Sequence, residues 1–188
     1  LTEIGSGGGS VVYASTWSPD IAYRILKPDS YLIRANGLGD LSRGHQLYNA
    51  LAKVDPRWMR TYGQDFLQLE GRTTVVMTVE RKPNLLMTMH MKPDHIHYQI
   101  GRASEVQLGR FLKKELGKDY GDFQTGVIQS GPQAGQIAVV DPPYVSAREF
   151  ETALQRLPNV TIPGAPLHSA EYVTGVEGLN VTPFYTTS

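Results

Sequence analysis

The sequence contains no cysteine, which excludes a disulfide framework and any thiolate metal site. That suits a reducing compartment, and equally a protein exported through a narrow channel and refolded elsewhere. Neither sign of charge is in excess: 18 Lys and Arg balance 18 Asp and Glu, so neither a nucleic-acid footprint nor an acidic tail is implied. No apolar run approaches the length of a membrane span. The chain opens at Leu1, inside what reads as a strand and without a charged-then-apolar leader, and the expectation is that a natural N-terminal segment such as a targeting signal precedes it. What is present is ordinary for a globular monomer: 188 residues, 40% hydrophobic and 19% charged, enough for one sizeable core or two small lobes.

Two aspartates organise the reading. Asp122 sits on a Gly-containing loop in Tyr120-Gly121-Asp122-Phe123-Gln124-Thr125-Gly126-Val127. Asp141 ends the apolar run Ile137-Ala138-Val139-Val140, which reads as a buried strand. One such carboxylate can receive a hydroxyl proton while the other holds magnesium over phosphates. An Asp in a turn after a helix and an Asp closing a strand would look the same for purely structural reasons.

Upstream, Ile4 to Tyr13 places a glycine-rich turn between β-favouring segments, with the spacing Gly5-x-Gly7-x-x-Ser10-x-Val12. It reads as a loop over an anion or, equally, as a flexible hairpin or linker. Ile21 to Lys27 reads as a strand whose Arg24 could reach phosphates under that loop. Lys27 is the second candidate, and just before Pro28 a solvated charge is its simpler reading. Pro28 to Leu41 is turn-rich and reads as an irregular connection. Ser42 to Lys53 has helical spacing, with Leu47, Ala50, Leu51 and Val54 on one face, Ser42 as cap and Gln46 on the same helix. Phe66 to Val79 reads as two strands around a Gly-Arg turn, and the charged, turn-forming stretch Glu80 to Asn84 marks a boundary.

His90, Asp94, His95 and His97 raise a metal site, with His95 and His97 on one side of a strand. The spacing that sets two imidazoles on one helical face is absent. Ser104 to Leu116 reads as the clearest helix, capped by Ser104 and apolar at Val106, Leu108, Phe111, Leu112 and Leu116. Ser146 to Leu157 reads as another, with Phe150, Leu154 and Leu157 inward. From Asn159 the chain reads as an extended, partner-dependent tail.

Taken together, these segments resemble a protein kinase cut to minimum size, most closely the OspG-like effector kinases that pathogenic bacteria inject into host cells. The resemblance covers most of the chain, up to just past Asp141. It implies an α+β, two-lobed protein-kinase-like fold, with an antiparallel-sheet N-lobe over 1–80 and a reduced helical C-lobe over 81–188. Ile21-Ala22-Tyr23-Arg24 resembles the strand of the ATP-binding lysine, and Gln46-Leu47-Tyr48 the helix that supplies its partner glutamate. Val76-Met77-Thr78-Val79-Glu80 is similar to the strand into the adenine-holding hinge. Asp122 stands in the position of the catalytic base, and Val140-Asp141-Pro142 where the magnesium-binding Asp-Phe-Gly would be.

The resemblance therefore implies ATP and magnesium as cofactors. Gly5, Gly7, Ser10, Val12, Arg24, Gln46, Met77 and Val79 would surround the nucleotide, Asp122, Arg24 and Asp141 would act in catalysis, and Asp141 would hold the metal with help from Gln124. It implies a virulence effector delivered by type III secretion into the host cytoplasm, with a host protein as substrate and a host protein as a further, activating partner. Three positions depart from the pattern: Arg24 replaces Lys, Gln46 replaces Glu, and Val127 stands where a second metal-binding Asn is expected. An Arg bonded to a neutral Gln would keep a hydrogen bond but lose a charge-paired clamp. Those departures keep two alternatives open: a pseudokinase that captures a host protein, and another nucleotide-dependent transferase on the same fold.

Overall fold

The computed structural model describes residues 1–117 and 124–163. It is a mixed α+β chain with antiparallel sheets and a few helices. Strands β1 (Thr2–Ser6), β2 (Ser10–Ala14) and β3 (Ile21–Leu26) precede helices α1 (Tyr31–Asn36) and α2 (Leu38–Ala52). Strands β4 (Thr61–Leu69) and β5 (Arg72–Glu80) follow. These strands form one five-stranded antiparallel sheet in the order β1-β2-β3-β5-β4. Alternation fixes which face is buried: Ala22 and Leu26 of β3 and Val75, Met77 and Val79 of β5 point the same way, onto Leu41 of α2 and Met59. The β4–β5 turn is the two-residue Glu70-Gly71, both at positive φ (51° and 75°), the conformation whose twist suits a hairpin.

A second, three-stranded sheet contains β6 (Leu85–Met87), β7 (Gln124–Ile128) and β8 (Ile137–Val140). It lies against helix α3 (Ile96–Leu116), and α4 (Ala147–Arg156) follows. Leu47, Tyr48, Leu51 and Ala52 of α2 pack with Trp58, with Leu108, Phe111 and Leu112 of α3, with Val139 of β8 and with Ala153 of α4. Helix α2 is therefore buried on two sides, by the large sheet and by the other helices. The turn after it ties the sheets together. Asp55 accepts hydrogen bonds from the Arg57 backbone (3.0 Å) and from Trp58 Nε1 (3.2 Å), while Val139 donates to Arg57 O (2.7 Å) and accepts from Met59 N (3.0 Å). These bonds fix the strand two residues before Asp141. Among the described residues no helix is long and apolar enough to cross a membrane.

Several boundaries differ from the sequence reading. The connection expected between Pro28 and Leu41 contains α1 and the first turn of α2, which starts at Leu38 behind Gly37 (φ 83°) rather than at a Ser42 cap. The Ser42 hydroxyl instead bonds Gln64 Oε1 across to β4. Val54, expected inward, is 73% exposed, because α2 ends at Ala52. Helix α3 starts eight residues before Ser104, which is buried mid-helix and bonds back to Ile100 O; the cap is His95, whose Nδ1 accepts from His97 N. His95 and His97 accordingly begin a helix rather than share a strand face, with their rings edge to face at 5.1 Å. Ser146 does cap α4 in a reciprocal box with Glu149, but Leu154 is half-exposed and Ala153 is the buried residue.

Candidate functional site

Arg24 lies between Ala22 and Leu26 on β3, so its side chain leaves from the core-facing side of the sheet. A guanidinium so placed needs partners. Its Nε donates to Ser10 Oγ (3.0 Å) and its Nη2 pairs with Asp141 Oδ1 (2.7 Å), the two side chains being 14% and 41% exposed. Val12 stands opposite Arg24 on β2 and Met77 opposite it on β5, while Val79 faces Ala22. The sheet thus places Ser10, Val12, Arg24, Met77 and Val79 on three neighbouring strands. Met77 and Val79 are buried in the sheet core, and Val12 packs on it.

The glycine-rich turn folds over the end of β3. Gly7 N donates to Ser10 O, Lys27 N to Gly9 O, and Lys27 Nζ to Gly7 O (2.6 Å). Lys27 is therefore tied to the loop rather than merely solvated. A Cβ on Gly5, Gly7 or Gly8 would meet nothing within 4 Å, and none of the three has positive φ. Neither packing nor backbone conformation within the chain asks for glycine there; what glycine leaves is a turn with no side chains at these positions.

The residue that α2 turns toward Arg24 is His45, not Gln46. Gln46 is exposed, whereas His45 is 3% exposed. One position on a helix is a rotation of about 100°, enough to exchange solvent for core. His45 Nδ1 shares a hydrogen bond with Thr61 Oγ1 (2.5 Å), and Nε2 is buried without a partner among the described residues. Burial first, and the positive charge of Arg24 second, lower the imidazole pKa to about 3, so the ring is neutral. Sequence reasoning missed it because histidine counts as polar. The signal was its spacing of four from Leu41 and three from Tyr48.

Asp141 follows β8 with φ 60°, the left-handed region that few side chains adopt. The chain after it is fastened to α2. Val145 N donates to Asp40 O (2.9 Å), and Arg43 Nε donates to Val145 O (2.8 Å) while its Nη2 pairs with Asp40. Tyr144 packs on the sheet core, and burial chiefly raises its hydroxyl pKa; Arg24 opposes that rise and Asp141 adds to it.

Asp122 lies outside the described residues. On the described side of each end, Gly117 (φ 74°) ends α3, and Thr125 N donates to Glu105 Oε1 (3.2 Å). Gln124 to Val127, read from sequence as the end of a catalytic loop, belong to β7, with Gln124 opposite Val140 and Val127 fully buried. Among the described residues a metal at this site would find one carboxylate, Asp141, with Gln124 on the neighbouring strand and no ligating atom at Val127. Among the described residues no three His, Cys, Asp or Glu side chains group to hold a metal, the His90–His97 segment included. Magnesium bound through one carboxylate plus substrate phosphates fits this donor set; a cage made by protein alone does not.

Two cavities lie away from the pair. One, of about 460 Å³, is lined by Asp55, Arg57, Lys82, Gln136 and Ile162 among others, and one of about 410 Å³ by Leu86, His90, Lys92, Asp94 and His95 among others.

No family model and no curated protein matches this chain. The functional reading therefore rests on the geometry of the site and on the motifs.

Proposed function

We propose that the chain is a minimal, two-lobed ATP- and magnesium-dependent Ser/Thr protein kinase, OspG-like, acting on a host protein after secretion into the host cytoplasm. The observation that carries this is the 2.7 Å pair of Arg24 and Asp141, which sets a cation from the sheet under the glycine-rich loop and an acid from the end of β8 side by side. The sheet order and a helix packed between sheet and helical layer support the same reading. In it, Gly5, Gly7 and Ser10 cover the phosphates and Arg24 contacts them. Asp122 receives the proton of a substrate hydroxyl as its oxygen attacks the γ-phosphorus, and the bond to the departing ADP breaks. Magnesium would supply neutralisation of the phosphate charge, held by Asp141 with Gln124 nearest.

A binding module is the second reading, favoured by Val127 in the core of β7 and by a neutral imidazole where a carboxylate would clamp Arg24. Intact-mass analysis of a generic Ser/Thr substrate protein after incubation with ATP and magnesium separates the readings. A phosphate adduct that Asp122→Asn and Asp141→Asn both abolish supports the kinase. An AMP adduct indicates a different transferase, and partner capture that survives both substitutions, without any adduct, supports the module.

A further inference from the structure

Among the described residues Arg24 has two partners, Ser10 and Asp141, and the acid of α2, Asp40, is paired with Arg43 instead. His45 is the α2 residue that feels the Arg24 charge: it is buried, held through one ring nitrogen by Thr61, and its other nitrogen has no partner among the described residues. Gln46, one position on, faces solvent. Asp141 is thus the acid that neutralises a mostly buried guanidinium. We infer that Arg24 and Asp141 form a closed pair that a divalent cation and a nucleotide must open together, and that His45 is the positioning residue that keeps it closed. This rests on the nucleotide-binding reading above and assigns a regulation to the same site.

The physical argument is an exchange of partners. A cation arriving alone at Asp141 has to displace Arg24, leaving the guanidinium buried beside a neutral imidazole. A triphosphate arriving alone has to draw Arg24 away, leaving the Asp141 carboxylate unpaired beside further negative charge. When both arrive, Asp141 passes to the cation and Arg24 to the phosphates, so no charge is stranded. Each ligand then strengthens the other by the same factor. A carboxylate at position 45 would give Arg24 a second anion and loosen the dependence.

Calorimetric titration with ATP, in excess magnesium and in excess chelator, reads this directly. For the unaltered chain, affinity in chelator should fall at least tenfold below that in magnesium. Asp141→Asn, a half-exposed position, should bind ATP in chelator at least tenfold more tightly than the unaltered chain does, with magnesium no longer mattering. His45→Gln, still neutral, should keep the magnesium dependence, and His45→Glu should reduce it at least fivefold. Should His45→Glu fail to fold by circular dichroism, Asp141→Asn carries the test. ATP binding by the unaltered chain in magnesium, with no gain for Asp141→Asn in chelator, overturns the closed pair and leaves the nucleotide reading standing. No ATP binding by the unaltered chain in magnesium overturns both.

Discussion

Gly44 and Pro143 are packed so closely that a Cβ on the glycine would lie 1.7 Å from the proline carbonyl oxygen. Helix α2 approaches the segment after Asp141 at that point, backbone against backbone. The same segment is bonded to the helix through Asp40 and Arg43. The helix that presents His45 to Arg24 is therefore also the support on which Asp141's downstream chain rests.

Gly44→Ala should accordingly destabilise the fold by about 3 kcal/mol or more, at the upper end of overpacking because backbone must move. Gly39→Ala is its control: the same helix, an exposed position, and only the end of the Arg43 side chain nearby at 3.4 Å. Helix propensity predicts a gain of about 0.5–1 kcal/mol there. Urea unfolding midpoints of the two variants, moving in opposite directions, are the measurement.

His45 sets a dependence on acid. Its folded pKa, about 3, lies below the unfolded value of 6.5, so beneath pH 6.5 the unfolded chain binds a proton that the native chain does not. Stability contributed by the neutral ring is complete above pH 6.5 and is lost as pH falls toward 3, with a slope near 1.4 kcal/mol per pH unit through the middle of that window. In His45→Gln this component of the slope should vanish. Denaturant titrations at pH 7, 6, 5 and 4 on both proteins compare the slopes.

Glu105 anchors the start of β7. Its Oε1 accepts from Thr125 N at 3.2 Å, while the Thr125 hydroxyl lies 3.1 Å from Gly101 O and 2.9 Å from that of Thr88. Glu105→Ala leaves the Thr125 amide without this partner and should cost about 1–3 kcal/mol, with Glu105→Gln costing less. Hydrogen exchange at the Thr125 amide should speed up in the alanine variant. An unchanged exchange rate would remove Glu105 as the anchor of the strand that follows the Asp122 loop.

The five-stranded sheet was legible because alternation and turn residues are local signals: Val75, Met77 and Val79 alternate, and Gly71 marks the turn. Asp141 at the end of an apolar run was legible for the same reason. The site's third member was not. Gln46 was expected where His45 stands because the resemblance set Gln46 in the place of the partner glutamate, while Gly44 and His45, both buried, carry no hydrophobic signal. The start of α3 was hidden in a similar way: Gly101 is there because Thr88 occupies the space of a Cβ, at 2.1 Å, and Ser104 mimics a cap while bonding its own helix. In β7, Gly126 faces Leu85, where a Cβ would come within 2.8 Å, so crowding put glycine into a strand that reads as a loop.

Asp141 occupies a backbone region in which asparagine is as comfortable as aspartate and glycine more so. Alongside it, His45 keeps a buried nitrogen without a partner among the described residues and Arg24 a guanidinium mostly withdrawn from water. Three local sacrifices of stability thus converge on one spot, while the surrounding sheet and helices obey ordinary packing rules. A chain selected only for endurance would relax them, with glycine at the end of β8 and hydrocarbon at the two polar positions. Such a protein should outlast this one in heat and have lost the charged pair of Arg24 and Asp141.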